Sequence, residues 1–551
     1  MSIVTDTQLS TRFPIYTRAN VGEVFPDPVA PATRSLLLYE SELGWRDAYI
    51  RMGAFEADEF PENEFCILGV AGGYCYLNAS VMRIFGERAP GLTWKAIDEQ
   101  FFGAQPGIPD YVEQPGDNRP DLTAKLEQTF GWVFSITNVD QLDQLNAHKA
   151  RTIELRASRP DFSSMSDLEL WEYAEALFPV HRELFQEHLF VTTLTTVPVG
   201  VIQTVATAVG RPDLIMPLIA GVGQVDSAEP SYAMWALSRL DPASEEFASG
   251  FEQFRLDFGS RGPNEWEARS PTWDTNPNIA LAAIDRMRLA GDDADPRAHQ
   301  QQRAEERAEA AATLLAMVEA DPATHGQLAA AIAASGAWLP ARERTKTNNI
   351  RLIQELRMPL RELGRRYVER QVFDEIEDFG LVLHSEMEEM LGATPERLTE
   401  RIRERRSTHA QLSNREPEFV FVGSPSDPET WPTRDAVEVE PLEVGDSIQG
   451  MPGCPGVSEG IARVVLDSSD PTALGPGDVL VAPSTDPSWT PLFVPAGGVI
   501  VDVGAALSHA IIVSRELGIP CVVSATHATR RIRDGARVRV DGNTGIVTVL
   551  E

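Results

Sequence analysis

One stretch near the C-terminal end of the chain decides the fold, GVIVDVGAALSHAIIVSRELGIP (498–520). Its first residues, Gly498–Val503, form a short apolar run of the kind that makes a buried strand. A helix is predicted over Ala510–Leu517, because Gly518 is a typical helix stop and Pro520 follows it. The order of strand, loop and helix predicts an α/β module around this stretch.

The loop before the predicted helix carries a serine and a histidine. Ser508 is a candidate N-cap, so the imidazole of His509 is expected at a helix N-terminus. The N–H groups and the dipole there favour a bound anion and disfavour imidazolium, so the ring is expected to stay neutral and nucleophilic. A phosphoryl group on His509 would be stabilised at this place. The alternative is an ordinary surface histidine, and His527 is the reserve candidate for the nucleophile.

Short apolar or alternating runs, separated by Gly and Pro turns, flank this stretch on both sides. They are predicted to be strands at Ile461–Leu466, Asp478–Ala482, Cys521–Ser524, Arg537–Val540 and Ile546–Leu550. Together with the central stretch they predict a compact α/β domain over 449–551.

The chain before this domain has a helical texture. Apolar residues recur every three or four positions in three long segments, Asp167–Phe190, His299–Ala334 and Lys346–Arg370. Residues 414–448 are irregular and rich in proline, aspartate and glutamate, which is typical of a linker. The predicted organisation is a multidomain protein with a mostly α-helical body (1–413), a linker (414–448) and the C-terminal α/β domain (449–551).

Composition limits the class of protein. The 551 residues are 43% apolar and 24% charged, as in an ordinary globular protein. Acids outnumber bases by 82 to 48, giving a formal charge of −34, so nucleic acid is not an expected partner. The four cysteines, Cys66, Cys75, Cys454 and Cys521, form no CxxC pair, so neither a zinc site nor a disulfide framework is expected.

One uncharged run, His188–Gly210, is long enough to cross a membrane. Its threonines, Pro198 and Gln203 argue against a span, and no basic cluster flanks it. A buried helix or the wall of a pocket is therefore the favoured interpretation. Because the N-terminal residues also lack an apolar signal region, a cytoplasmic protein without a membrane partner is expected.

Four motifs follow one another in the C-terminal domain. They are GCPGVSEG (453–460), GDVLVAP (477–483), TDPSWTPLF (485–493) and LSHA (507–510). Together they resemble the swivelling phosphohistidine domain of phosphoenolpyruvate synthase, pyruvate phosphate dikinase, rifampin phosphotransferase and phenylphosphate synthase. The resemblance implies a β/β/α swivelling fold, and His509 falls on the phosphorylated histidine. Cys454, Ala505 and Ile511 depart from the commoner residues of that pattern, but none of these departures removes the nucleophile.

The body resembles the substrate-binding domain of rifampin phosphotransferase-like proteins in three segments. These are NVGEVFPDPVAP (20–31), FGSRGPNE (258–265) and RERTKTN (342–348). Ser260 replaces the histidine of the family's Gly-His-Arg-Gly segment. Arg342 and Lys346 share one face of a helix that is expected to open near Arg344, and they could clamp a transferring phosphoryl group. The alternative for such a pair is a solvated helix surface.

Segments that would handle a nucleotide are not recognisable. The sequence has no GxxxxGK[ST] loop, and the resemblance assigns ATP use to an ATP-grasp domain for which the domain assignment leaves no length. The phosphoenolpyruvate-binding barrel of the dikinases is not recognisable either. No cofactor is therefore expected on this chain. ATP and Mg²⁺ are expected on a separate ATP-grasp subunit, the division of work found in phenylphosphate synthase.

The resemblance implies a phosphotransferase subunit of the dikinase type. It would carry a phosphoryl group on His509 from the ATP-grasp partner to an acceptor hydroxyl, on a phenol or an alkylphenol such as 4-cresol. Three cations, Arg261, Arg342 and Lys346, would neutralise developing charge, and Glu265 would accept the hydroxyl proton. Two alternatives stay open: a subunit that phosphorylates a rifampin-like antibiotic, and a non-catalytic phosphocarrier or regulatory protein.

Overall fold

The protein is described by a computed structural model that covers residues 3–102, 107–223, 225–392, 395–434, 439–466, 474–485, 489–504 and 508–551. A large helical body is followed by a smaller domain built on a mixed sheet. Both parts of the expected architecture, a mostly helical body and a C-terminal α/β domain, are confirmed.

The described helices of the body differ widely in length. They are α1 (Val21–Val24), α2 (Tyr39–Met52, after a π-helical turn at Thr33–Leu38), α3 (Ala79–Arg88), α4 (Trp94–Phe101), α5 (Pro120–Val133), α6 (Asp143–Ala157), α7 (Asp167–Glu175), α8 (Phe178–Ala208), α9 (Ile215–Ile219), α10 (Glu229–Ser238), α11 (Glu245–Phe258), α12 (Pro277–Arg288), α13 (Pro296–Met317), α14 (Pro322–Glu369), α15 (Met387–Gly392) and α16 (Pro395–Ser413).

The 48-residue helix α14 is the axis of the body. Asp321 caps its first turn by accepting hydrogen bonds from the backbone N–H groups of Ala323 and Thr324. The helix packs lengthwise against α8 and also contacts α6 and α7. The predicted helix start near Arg344 is wrong, because α14 runs without interruption from Pro322 through Pro340. A proline inside a helix resembles a start signal in a sequence, but here packing on both sides holds the turn together.

Helix α8 contains most of the uncharged run His188–Gly210. The helical stretch Asp167–Ala208 is long and apolar enough to cross a membrane by length and composition, yet 56% of its most apolar window is buried within the fold. Leu189, Val191 and Leu194 belong to the core that α8 forms with α2 and α14. The structure thus shows α8 as a core helix of the body, in agreement with the favoured interpretation.

A small antiparallel sheet, which the sequence analysis did not predict, covers one end of the body. Its strands are β1 (Ile15–Thr17), β2 (Leu68–Ala71), β3 (Tyr74–Asn78) and β4 (Val420–Val422), in the order β2-β3-β1-β4.

Strand β4 lies inside the predicted linker, so that boundary needs correction. Phe421 is buried and stacks on Tyr16 with ring centroids 5.5 Å apart, and Trp431 packs on Tyr74. At the other end, Leu442 already belongs to the core of the C-terminal domain. Aromatic burial up to Trp431, extended by the ion pair of Arg434 with Asp27, therefore ties residues up to 434 to the body. It leaves a much shorter connection, of which 435–438 lie outside the described residues.

The C-terminal domain is built on a mixed sheet. Its strands are β5 (Ser447–Gln449), β6 (Met451–Cys454), β7 (Val457–Val464), β8 (Val479–Ala482), β9 (Gly498–Val501), β10 (Cys521–Val523), β11 (Arg537–Asp541) and β12 (Ile546–Val549), in the order β5-β12-β11-β7-β8-β9-β10-β6. The helices are α17 (Thr490–Phe493), α18 (His509–Leu517) and α19 (Ala528–Arg531).

The segment 498–520 supplies the centre of this sheet and therefore decides the fold of the domain. Strands β8, β9 and β10 are parallel neighbours, and α18 connects β9 to β10. Every residue of β8 and β9 is buried, as expected for parallel strands that are covered on both faces. Gly518 ends α18 with φ +71°, and its N–H bonds to the carbonyl of Arg515, so the predicted helix stop is confirmed.

The α/β domain packs directly on the body. Leu492, Phe493 and Ile511 share one apolar cluster with side chains of α10, α11 and α12, such as Trp235 and Phe254. Polar contacts reinforce this interface, because the N–H of Gly221 in the body donates to Glu516 Oε1 at 3.3 Å. The structure therefore shows the domain docked on the body.

Candidate functional site

His509 is the first residue of α18, directly after the buried strand β9 and its loop. Ser508 occupies the N-cap position with extended backbone angles, as predicted, but its hydroxyl caps no backbone N–H group. That hydroxyl is buried and has no hydrogen-bond partner among the described residues. Residues 505–507, which include the departure at Ala505, lie outside the described residues. The imidazole thus stands at a helix N-terminus beside an unused hydroxyl group.

Two threonine hydroxyls hold the His509 ring from opposite sides. Thr485 Oγ1 lies 3.0 Å from Nδ1, and Thr490 Oγ1 lies 3.1 Å from Nε2. The Phe493 ring stands edge-on to the imidazole, with centroids 5.8 Å apart. Both threonines and Phe493 come from the TDPSWTPLF motif, of which 486–488 lie outside the described residues. The motif thus fixes the orientation of the His509 ring.

The side of His509 that faces the body meets cations. Burial lowers the pKa of His509 well below its ordinary value near 6.5, and the positive charges of Lys346 and Arg261 lower it further. The ring is half-buried, so His509 is not an ordinary surface histidine. The predicted neutral imidazole therefore follows mainly from burial against the body and from the body's cations.

Arg261 and Glu265 form a buried pair beneath this face. Arg261 Nη1 lies 3.0 Å from Glu265 Oε1 and 3.1 Å from Oε2, while Nη2 donates to Thr347 Oγ1 at 2.7 Å. Lys346 Nζ lies 3.8 Å from Glu265 Oε1 and keeps 21% of its side chain exposed. The loop and the middle of α14 thus present two cations to His509, and Glu265 anchors both.

Glu265 itself is placed poorly for the role that the sequence analysis gave it. Its side chain is 0% exposed, and both carboxylate oxygens are engaged by Arg261. An acceptor hydroxyl would have to displace this pair before it could reach the carboxylate. The geometry favours Glu265 as the group that positions Arg261 and Lys346.

Ser260 stands next to this pair and is buried. It replaces the histidine of the Gly-His-Arg-Gly segment, so the loop supplies no imidazole of its own. The loop is held tightly, because the N–H of Trp273 donates to the Arg261 carbonyl at 2.8 Å. A Cβ on Gly262 would lie 2.4 Å from the carbonyl oxygen of Pro271, so glycine permits this close approach.

Arg342 lies one turn before Lys346 and faces α18. It lines a cavity between the body and the α/β domain, together with Val199, Ile512, Arg515 and Glu516. Its charge lowers the pKa values of His188 and Arg515. Arg342 and Lys346 therefore share one side of α14 as predicted, and that side lies at the domain interface.

An aromatic group that the sequence analysis did not assign to the site adjoins these cations. His188 on α8 lies with its ring centroid 6.0 Å from that of Trp266, and Phe185 stands edge-on to both rings. Burial lowers the pKa of His188 to about 3, with further contributions from Arg342 and Lys346. Lys346 thus acts electrostatically on both imidazoles, His188 and His509.

The sequence carried only weak signals for these residues. His188 opens the uncharged run, and Trp266 follows Glu265 directly. The sequence does not predict that α8, α14 and the 259–276 loop contact one another. These contacts join residues some 80 to 160 positions apart. Tertiary packing alone brings them together.

The arrangement suits the movement of a phosphoryl group. A neutral imidazole can attack or release phosphorus, and two cations face it where negative charge would develop. The neighbouring aromatic rings of Phe185, His188 and Trp266 pack on one another beside these cations.

Comparison with known families agrees with this geometry. Residues 474–545 match the PEP-utilising enzyme mobile domain, and residues 236–343 match the rifampicin phosphotransferase fourth domain. The first match contains His509, and the second contains Arg261, Glu265 and Arg342. The resemblance that the sequence motifs indicated is confirmed.

Individual relatives match different parts of the chain. An uncharacterized protein of Mycobacterium tuberculosis is 30% identical over 358 residues, which are 64% of this chain and 36% of that protein. The rifampicin phosphotransferase of Streptomyces sviceus is 48% identical over 101 residues, 18% of this chain and 12% of that enzyme. The rifampicin phosphotransferase of Bacillus subtilis is 36% identical over 174 residues, which are 31% of this chain and 20% of that enzyme. The chain spans about a third of the length of the Mycobacterium relative and less of the other two.

Proposed function

We propose that this protein is a phosphotransferase component that carries a phosphoryl group on His509 and delivers it to a hydroxyl of an aromatic acceptor. The observation that carries the proposal is the meeting of three groups from two domains. The positive charges of Lys346 and Arg261, both in the body, act on His509, which belongs to the α/β domain. The two family matches, which cover these two parts of the chain, support the same chemistry.

The docked domain corresponds to the delivery step of this proposal. The acceptor oxygen would attack phosphorus, and the bond from phosphorus to the His509 ring would break. Negative charge spread over the phosphoryl oxygens during transfer would be stabilised by Lys346 and Arg261, with Arg342 one turn away. Glu265 would keep the first two cations in place.

The acceptor class is proposed from the lining of the site. Trp266, Phe185 and His188 form an aromatic group, and the charge of Lys346 acts on its His188 ring, so a phenol or an alkylphenol such as 4-cresol is proposed to bind against this group. A hydroxyl on the ring would then point toward the cations. This substrate is a proposal from chemistry and from the resemblance to phenylphosphate synthase.

The donor is proposed to be a separate ATP-grasp protein that uses ATP and Mg²⁺ in the cytoplasm. The α/β domain would leave the body, receive a phosphoryl group on His509 and return. The connection between the two domain cores, of which residues 439–441 are described, would serve as the pivot, since Trp431 belongs to the core of the body and Leu442 to that of the α/β domain.

A rifampicin-like antibiotic is the second candidate acceptor, and one observation favours it. The match to the rifampicin phosphotransferase fourth domain extends over the loop with Arg261 and up to Glu343 on α14. Its range therefore includes part of the candidate acceptor site as well as the elements that dock the carrier domain.

The test combines the chain with an ATP-grasp protein, radiolabelled ATP and a panel of acceptors. The panel contains phenol, 4-cresol, rifampicin and the aliphatic alcohol cyclohexanol. We expect an acid-labile label on the chain and its transfer to the phenols. A His509→Ala variant should take up no label, and label retained in that variant would move the assignment to His527. Transfer to rifampicin alone would establish the second candidate, and label that no acceptor removes would indicate a phosphocarrier.

A further inference from the structure

The proposed transfer needs a group that takes the proton from the acceptor hydroxyl, and the described site offers few bases. Glu265 is enclosed by Arg261 and Lys346. The loop that carries Arg261, residues 259–276, contains no histidine. The imidazole of His188, on a different element of the body, lies at the same group of cations.

The hydrogen bonds around His188 assign its tautomer. Its Nδ1 lies 3.0 Å from Thr345 Oγ1, and that hydroxyl donates its single hydrogen to the Arg342 carbonyl at 2.7 Å. Thr345 can therefore only accept from the ring, so the neutral ring carries its hydrogen on Nδ1. A longer contact of 3.4 Å from Thr192 Oγ1 also involves Nδ1. The lone pair of the neutral imidazole is thus on Nε2.

Within the described part of the chain, Nε2 of His188 makes no hydrogen bond, and the ring is half-buried. The charged groups that act on it are Arg342 and Lys346 on α14, and the rings of Trp266 and Phe185 pack against it. A positioned ring with an unoccupied lone pair is what a general base requires.

We propose that His188 is the general base that accepts the proton of the acceptor hydroxyl at Nε2. This inference rests on the proposed function and adds a residue to it. The acceptor O–H bond breaks as its proton moves to Nε2, and the oxygen pair forms the bond to phosphorus. The bond from phosphorus to the His509 ring breaks, and its electron pair returns to that ring. The His509 ring then takes a proton from water, and His188 releases its own to water, so protons balance.

The same cations link the base to the arrival of the phosphoryl group. Burial, and after it the positive charges of Arg342 and Lys346, keep the proton affinity of His188 low. A phosphoryl group on His509 would neutralise part of their charge and thereby raise that affinity. His188 would thus become an effective base when the loaded domain is docked.

The test separates the base from a structural role by the acidity of the acceptor. The intact chain is phosphorylated chemically with potassium phosphoramidate, which avoids the need for an ATP-grasp partner. Single-turnover transfer is then measured at about pH 8.5 to phenol, which is still protonated as a tyrosine would be, and to 4-nitrophenol, which is ionised. The variant is His188→Asn, whose amide can keep the donor toward Thr345. The matched control is His384→Asn, at a partly exposed histidine that pairs with Glu175.

We expect His188→Asn to slow transfer to phenol by about 10²- to 10⁴-fold, the usual contribution of general base catalysis. Transfer to 4-nitrophenolate should stay within about threefold of the wild type, because its oxygen has no proton to lose. His384→Asn should match the wild type with both acceptors. His188→Gln serves as the second variant if the asparagine variant loses its thermal transition.

Two outcomes would overturn the inference, and they differ from failure of the proposed function. Equal slowing with both phenols would show that His188 only shapes the site. An unchanged rate with phenol would show that it has no part in transfer. If the wild type itself transfers to neither phenol, the proposed acceptor class fails, and the base assignment fails with it.

Discussion

At the scale of single residues, the site depends on one lysine in a chain that has four. The charge of Lys346 lowers the pKa values of both His509 and His188. It therefore lies where donor and acceptor would meet, and its removal should affect delivery more than loading.

Lys346→Ala should slow transfer from phospho-His509 to the acceptor by about 10²- to 10³-fold, the usual cost of one donor that stabilises developing charge. Loading of His509 should change little, because in the proposed cycle it takes place away from the body. Single-turnover measurement of each half-reaction separates the loading of His509 from the transfer to the acceptor. The control is Lys125→Ala, which removes an exposed ion pair. Slow loading with normal transfer would instead identify the body as a docking surface for the kinase.

The protonation of His509 gives a second test. Burial, Lys346 and Arg261 all lower its pKa, so its ring should stay neutral from about pH 6 to 8, where an ordinary histidine titrates. Lys346→Met should move the pKa of His509 upward toward the ordinary value. Nuclear magnetic resonance titration of the Cε1–H signal of His509 distinguishes the neutral ring from the protonated ring. A wild-type signal that titrates near 6.5 would contradict the docked arrangement.

The residues also show what the sequence could and could not predict. His509, its position at the start of α18 and the stop at Gly518 are local features, and motif and cap rules located them. The role of Glu265 as an anchor and the approach of His188 depend on how three distant elements pack. No local rule contains that information, because it is decided by burial in the finished core.

At the scale of elements, the loop between α11 and α12 determines where Arg261 points. A Cβ at position 262 would collide with backbone atoms of Pro271 and Thr272, which cannot move aside as a side chain could. Its neighbour on the other side of Arg261, Gly259, is equally crowded, with its Cβ position 2.3 Å from the carbonyl oxygen of Arg255. The loop is therefore as constrained as a regular element.

Gly262→Ala should lower the free energy of unfolding by about 1–3 kcal/mol, since overpacking in a fixed site costs that much. It should also slow transfer, because Arg261 is displaced. Gly131→Ala is the matched control, since that glycine lies in α5 with open space around it, and alanine there should stabilise by about 0.5–1 kcal/mol. Chemical denaturation measures both. Equal free energies of unfolding for the two variants would contradict the close approach of Gly262 to the backbone of Pro271 and Thr272.

Element boundaries show a second limit of sequence reasoning. The basic segment 342–348 was expected to open a helix near Arg344, whereas α14 begins at Pro322. Strand β4 has only three residues, and its pairing partner β1 is some 400 positions away. Short strands of this kind carry little periodicity, so only the buried ring of Phe421 marks it.

At the scale of the whole molecule, docking couples the two domains through groups that titrate. Glu516 on α18 is buried at the interface, and burial raises its pKa to about 7 from an ordinary 4.5, although the Gly221 N–H opposes the shift. Glu343 of the body adds like charge, while Arg515 and Arg303 counteract it. The docked state thus holds the protonated form more tightly than the open state does.

This linkage predicts that docking weakens as pH rises. A raised pKa contributes stability that is complete below about 4.5 and is lost as pH rises through about 7. The full effect is at most roughly 3 kcal/mol, from 1.36 kcal/mol per unit. Energy transfer between dyes on the body and the α/β domain should fall from pH 5 to 8.5. Glu516→Gln should remove this dependence, and a variant that follows the wild-type curve would contradict the assignment.

The edge-on ring of Phe493 should affect the lifetime of a phosphoryl group on His509 rather than the rate of its transfer. A phosphoramidate is consumed by any water that reaches its phosphorus, and a site that excludes water protects it. With Phe493 on one side, two threonine hydroxyls around the ring and the body in front, a phosphorylated His509 would, in the proposed cycle, meet bulk solvent mainly while its domain is away from the body. The half-life of phospho-His509 would then depend on how long the domain stays undocked. A Phe493→Ala variant should hydrolyse its phosphohistidine even in the docked state.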